Sequence, residues 1–135
     1  MVQYYPGAWR VVMCDFHTGF KEPEIVKYRP VITASKSRND GAPLCTVIPI
    51  STTPPIVVRD HHYQIPDEAL PNHLRNGEDH WVKVDMLTTV AHRRLTLLWH
   101  GRDHYGNRVY QTGKIPDEHI VAISSRIVGR LALQT

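Results

Sequence analysis

Short apolar runs alternate along the chain with polar breaks rich in proline and glycine, a rhythm that predicts many short strands rather than helices. Ala8 to Phe16 reads as the first strand, and His17 to Arg29 is too charged for a core and reads as a connection. Pro30 to Ser35 and Leu44 to Ser51 follow as strands, and the turn signal Asn39-Asp40-Gly41 between them predicts antiparallel pairing. Thr52 to Pro55 ends that pair, because proline offers no ladder donor. Val57 to Ile65 reads as an edge strand and Pro66 to His80 as an exposed irregular loop. Trp81 to Leu87 alternates at period two, His92 to His100 sets Leu95, Leu97 and Trp99 on one face, and Arg108 to Gln111 is a further short strand. From Pro116 to Leu133 the period lengthens: Ile120, Ile123, Ile127 and Leu131 share one helical face, Pro116 suits a helix start, and Asp117 and Glu118 favour its positive end. These elements predict a mostly β fold, a small twisted barrel capped by a terminal helix.

Composition narrows the class. With 135 residues, 41% hydrophobic and 21% charged, the expectation is a single folded domain over 1–135 with an irregular insertion around 66–80. No apolar run nears the roughly 18 residues of a membrane span, and no basic-then-apolar leader opens the chain, so a cytoplasmic protein without membrane contact is expected. The net charge is only +3, yet eleven of sixteen cations are Arg, whose planar fork suits phosphate and tilts the expectation toward anionic partners. Cys14 and Cys45 lie in apolar strand segments and read as buried free thiols.

Familiar sites are missing: there is no Gly-rich phosphate loop, no His-Glu-x-x-His, no Gly-x-Ser-x-Gly and no Cys-x-x-Cys. His61 and His62 are adjacent, so on a strand they point to opposite faces and cannot share a metal without a distortion; no metal and no cofactor are expected. One cluster remains. If Pro30 to Ser35 and Leu44 to Ser51 are antiparallel, Arg29 at the start of one lies beside Ser51 at the end of the other, with Thr52 next in line and Glu24 in the preceding loop.

The ordered set Tyr5-Pro6-Gly7, a strand ending Asp15-Phe16, Glu24 in a polar loop, Arg29-Pro30-Val31-Ile32, Val47-Ile48-Pro49-Ile50-Ser51-Thr52, Val84-Asp85 with Thr88 to Arg93, Tyr110 to Lys114 and a closing helix resembles the PemK/MazF family of toxin endoribonucleases over nearly the whole chain. The resemblance implies an SH3-like barrel that forms a homodimer, cuts single-stranded RNA such as mRNA without a metal, and is neutralised by a cognate antitoxin. RNA supplies its own nucleophile in the 2′-hydroxyl, so the protein need add only a base, a proton donor and charge stabilisation, giving 2′,3′-cyclic phosphate and 5′-hydroxyl ends. By match to the family motif, Arg29 is the catalytic cation, and Ser51 (or Thr52, one position on) hydrogen-bonds the phosphate. Glu24 accepts the 2′-hydroxyl proton, with His17 the competing base on pKa grounds. Arg93, Arg94, Asp85 and Tyr28 are the candidate RNA-binding residues. The same barrel serves gyrase-inhibiting toxins, so a non-enzymatic poison or a module that only binds RNA, DNA or protein is the alternative.

Overall fold

A computed structural model describes residues 7–36, 43–111 and 113–131. Tyr5 and Pro6 of the Tyr-Pro-Gly motif and the Asn39-Asp40-Gly41 turn lie outside these residues. The chain forms β1 (Val11–Asp15), β2 (Tyr28–Thr33), β3 (Leu44–Ser51), β4 (His62–Ile65), β5 (His80–Lys83), β6 (Thr88–Ala91), β7 (Leu95–Thr96), β8 (Leu98–Arg102), β9 (Arg108–Gln111) and α1 (Asp117–Arg130).

Seven strands make one antiparallel sheet in the order β4-β5-β3-β2-β1-β7, with β6 also on β3, and β8-β9 form a separate hairpin. The expected pairing of the second and third strands holds, with Val31 opposite Pro49 and Thr33 opposite Val47. One edge of β3 faces β2; along the other, β6 pairs Leu44 to Val47 and β5 pairs Ile50 and Ser51. The path β6-β3-β2-β1-β7 spans four inter-strand gaps, about 19 Å if flat. Yet only the 3-10 turn His92–Arg94 separates Ala91 of β6 from Leu95 of β7, a reach of about 14 Å at most. The sheet therefore curls. It does not close: no ladder joins β6 to β7 among the described residues, so the expected SH3-like barrel is instead an open, curled sheet bridged by a turn.

Curling gives the sheet two packed faces. Successive residues Val11 and Val12, Val31 and Ile32, and Val47 and Ile48 are all buried, one of each pair on either side. Val12, Cys14, Phe16, Val31, Val90 and Leu95 fill the concave side. Val11, Ile32, Ile48, Val82, Ile115 and Ile123 form the other core, against which α1 packs through Ile120 and Ile127.

Several boundaries differ from expectation. β4 is an edge strand, as read, but begins only at His62, because β5 offers partners for His62 to Ile65 and then turns at Val84; Val57 and Val58 have no ladder and stay exposed. Trp81 to Leu87 is not one strand: β5 ends at Lys83 and a 3-10 turn, Val84–Met86, follows. Pro66 to His80 is not wholly exposed, since two 3-10 turns, Asp67–Ala69 and Asn72–Leu74, fold Leu70 into the core. α1 stops at Arg130, so Leu131 leaves the helical face and is exposed. No helix among the described residues is long and apolar enough to cross a membrane.

Candidate active site

Arg29 sits on β2 opposite Cys14 of β1, on the concave face that also carries Val31. The β2-β3 ladder runs from Thr33–Val47 to Val31–Pro49 and stops there; extended two steps beyond, the same register points Arg29 toward Ser51. Both therefore mark the end of the concave core, where apolar packing gives way to polar groups. The Arg29 Nε is buried and has no hydrogen-bond partner among the described residues. A buried donor left unmade costs free energy, which makes this group available to a ligand oxygen.

Arg29 lines a cavity of about 540 Å³ with Glu22, Glu24, Ile25 and Lys27. Glu24 and Ile25 also border a second cavity of about 420 Å³, whose other walls include Phe16, Phe20, Asp85, Leu87 and Thr88. Glu24 thus stands between the two. Its side chain is exposed, and its position is set locally: the Glu24 amide donates to the Lys21 carbonyl at 2.9 Å and the Lys21 amide donates to Glu24 Oε1 at 3.2 Å. Ser51 is buried, and its Oγ accepts the Thr53 amide at 3.1 Å, which leaves the hydroxyl proton free to donate. Cys14, beside Arg29, is no nucleophile: burial pushes its thiol up to about 12, with nearby Arg94 pulling only partly the other way.

The remaining expected residues spread outward. Thr52 is exposed just past β3. His17 is exposed and lines neither cavity; its Nδ1 lies 3.0 Å from Asp15 Oδ1, which also accepts the His17 amide at 2.8 Å. Tyr28, exposed and next to Arg29 on the strand, shares a hydrogen bond with the Thr96 hydroxyl at 2.8 Å. Arg93 is exposed on the turn between β6 and β7, whereas Arg94 beside it is engaged: its Nη1 donates to the Asp15 carbonyl at 3.0 Å and its guanidinium lies 4.8 Å from the Phe20 ring centroid. Asp85 walls the second cavity while its Oδ2 lies 3.5 Å from His61 Nε2. The fold thus brings Arg29, Glu24 and Asp85 to adjoining cavities, with Ser51 at their edge by register, and leaves His17, Thr52, Arg93 and Tyr28 outside.

Sequence reasoning missed the apolar side of this region. Phe16, Phe20 and Leu87 wall the second cavity, and the T-shaped Phe16–Phe20 pair at 5.1 Å was foreshadowed only by two aromatics four residues apart in a polar stretch. Apart from His17, it also left the histidines without roles. His80 is buried with its Nε2 3.1 Å from Asp67 Oδ1, and His119 is buried against the Tyr63 hydroxyl at 2.6 Å.

With this geometry in place, comparison with known proteins decides the lineage. Residues 8–129 match the family described as the PemK-like, MazF-like toxin of type II toxin-antitoxin systems. The chain belongs to this family. No individually curated protein matches the sequence. Among solved structures, this PemK/MazF-like chain is similar to MazF from Deinococcus radiodurans (17% identity, TM-score 0.65, covering 97% of this chain and 100% of that one). It is also similar to an endoribonuclease in complex with its cognate antitoxin from a mycobacterial species (16%, 0.60, 97% and 99%) and to the toxin MazF-mt6 of Mycobacterium tuberculosis (16%, 0.56, 93% and 99%). At these identities the likeness speaks for a MazF-like fold, mostly antiparallel sheet with a C-terminal helix.

Proposed function

We propose that the protein is a cytoplasmic single-domain toxin endoribonuclease that cleaves single-stranded RNA without a metal, acts as a homodimer, and is neutralised by a cognate antitoxin. The observation that carries this reading is Arg29, a fixed cation with an unpartnered buried donor at the wall of a 540 Å³ cavity that it shares with Glu24. Family membership and a solved neighbour held by its antitoxin support the toxin role.

In the proposed reaction Glu24 takes the proton from the 2′-hydroxyl, the O2′–P bond forms, the P–O5′ bond breaks, O5′ takes a proton from solvent water as it leaves, and Glu24 returns its proton to solvent. Arg29 stabilises the charge gathered on the phosphoryl oxygens, and one of those oxygens supplies the partner its Nε lacks. Ser51 donates its free hydroxyl proton to the same phosphate. Thr52 and His17 are the substitutes for Ser51 and Glu24. The RNA continues past Asp85 and Tyr28 toward Arg93 and Arg94, and its binding weakens with salt. The products are 2′,3′-cyclic phosphate and 5′-hydroxyl ends.

The test is incubation of purified protein with single-stranded RNA in EDTA, wild type against Arg29→Ala. Cutting by wild type alone supports the reading. Intact RNA with folded wild type overturns the enzyme, and equal cutting by both overturns the role of Arg29.

A further inference from the structure

We propose that His61, His62 and Asp85 form a binding site for a divalent transition-metal ion of the zinc type, separate from the Arg29, Glu24 and Ser51 set and sharing only Asp85 with the proposed RNA path. One ligand atom from each of the three lies within 4.8 Å of the others, and His61 Nε2 and Asp85 Oδ2 are 3.5 Å apart. Ligand bonds near 2.0–2.1 Å in a tetrahedral zinc site separate donor atoms by about 3.4 Å. The His61–Asp85 pair already has that spacing, and a closure of at most about 1.4 Å brings the whole set to it.

The sequence objection, that adjacent histidines on a strand diverge, fails for a local reason. β4 starts at His62, so His61 stays in the preceding turn and the two rings meet edge-on, centroids 4.2 Å apart. The pairing of His62 with Lys83 then carries Asp85, two residues on, into the same place, and the Val84 amide donates to the His61 carbonyl at 3.2 Å to fasten the turns together.

The donor chemistry is specific. Two imidazoles and one carboxylate suit zinc, nickel or cobalt and not calcium or magnesium, which prefer all-oxygen shells. The rings and the carboxylate are partly exposed, and His61 borders a cavity of about 360 Å³ shared with Asp60, Ser125, Arg126 and Arg130, through which an ion can enter and a water can complete the shell. Arg59 and Lys83 near His62, and Arg126 and Arg130 across that cavity, oppose a cation and set the affinity below that of a closed structural zinc site. His62 Nδ1 accepts the Arg59 amide at 3.0 Å; coordination through Nε2 moves the ring proton to Nδ1 and releases that exposed amide to water. A bound ion would tie the turn before β4 to the turn that carries Asp85.

The test uses untagged full-length protein stripped with EDTA and dialysed. It is titrated with ZnCl2 in a calorimeter and with CoCl2 in a visible spectrophotometer, for wild type, His61→Ala, the near-isosteric Asp85→Asn, and His104→Ala as a control in the exposed hairpin turn. Circular dichroism confirms folding. The expected result is one equivalent bound by wild type and His104→Ala, with tetrahedral cobalt absorption and a raised Tm, and an affinity loss of about tenfold or more in His61→Ala and Asp85→Asn. Absence of binding by wild type at millimolar zinc, or wild-type affinity in both folded ligand variants, overturns the site. Since neither readout involves RNA, the result stands apart from the cleavage assay.

Discussion

Replacing Arg29 with methionine separates a functional guanidinium from a structural one. In the folded chain Arg29 Nε is buried without a partner, whereas in the unfolded chain it is hydrated. An unmade buried donor costs about 1–3 kcal/mol, and because Arg29 as a whole is only half-buried the lower figure applies. Methionine has a similar unbranched reach, removes the orphan donor, and adds an apolar chain beside buried Cys14 on the concave face. Arg29→Met should therefore stabilise the protein by about 1 kcal/mol. With an unfolding entropy of about 2.1 cal/mol/K per residue over 135 residues, that corresponds to a Tm rise of about 3–4 °C. The same variant should lose cleavage by about 10²–10³-fold, as when one charge-stabilising donor is removed. Calorimetry and an RNA gel assay on one preparation give both numbers. A Tm that falls by a similar amount would refute the reasoning, because it would make the guanidinium a brace of the fold.

Gly19 adopts φ +86°, and a Cβ there would stand 3.2 Å from Arg94 Nη2, so Gly19→Ala should cost about 1–2 kcal/mol and lower Tm by about 3–7 °C in a thermal melt. The His17 amide, more than any other partner, holds the Asp15 carboxyl below its ordinary 3.8. A lowered folded pKa contributes stability that is complete above the ordinary value and lost as pH falls through the folded one, so the Tm gap between wild type and Asp15→Asn should be open at pH of about 6 and close below about 3.8. A gap unchanged into acid would contradict that linkage. Cys14 and Cys45 are both buried and Cys14 has its pKa near 12, so a thiol-reactive chromophore at pH of about 8 should modify neither in the native protein and both in denaturant.

The register of two strands was legible because apolar runs on either side of the Asn39-Asp40-Gly41 turn signal leave few ways to pair Pro30 to Ser35 with Leu44 to Ser51, and that register points Arg29 toward Ser51. What depended on the far ends of strands was not legible. Val57 and Val58 are strand-forming but join no ladder among the described residues, since β5 bends away at Val84; the same early stop lets His61 and His62 converge. Leu131 fits the helical period but lies one residue beyond the helix end. The contacts of Arg94 with Phe20 and the Asp15 carbonyl, over seventy residues earlier, had no local signal. Propensity and period are local signals, and these outcomes were set by long-range partners.

The two sides of the Arg29 cavity are anchored on different clocks. Ser51 ends a strand flanked along both edges, and Arg29 belongs to the strand next to it, so their backbones should exchange amide hydrogens only through large openings of the sheet. Lys21 to Lys27 carries Glu24 on an exposed segment held by bonds within one turn, and its amides should exchange fast. A ligand that fills the cavity must quieten that segment against an already rigid wall, and the entropy lost there will weigh against its affinity.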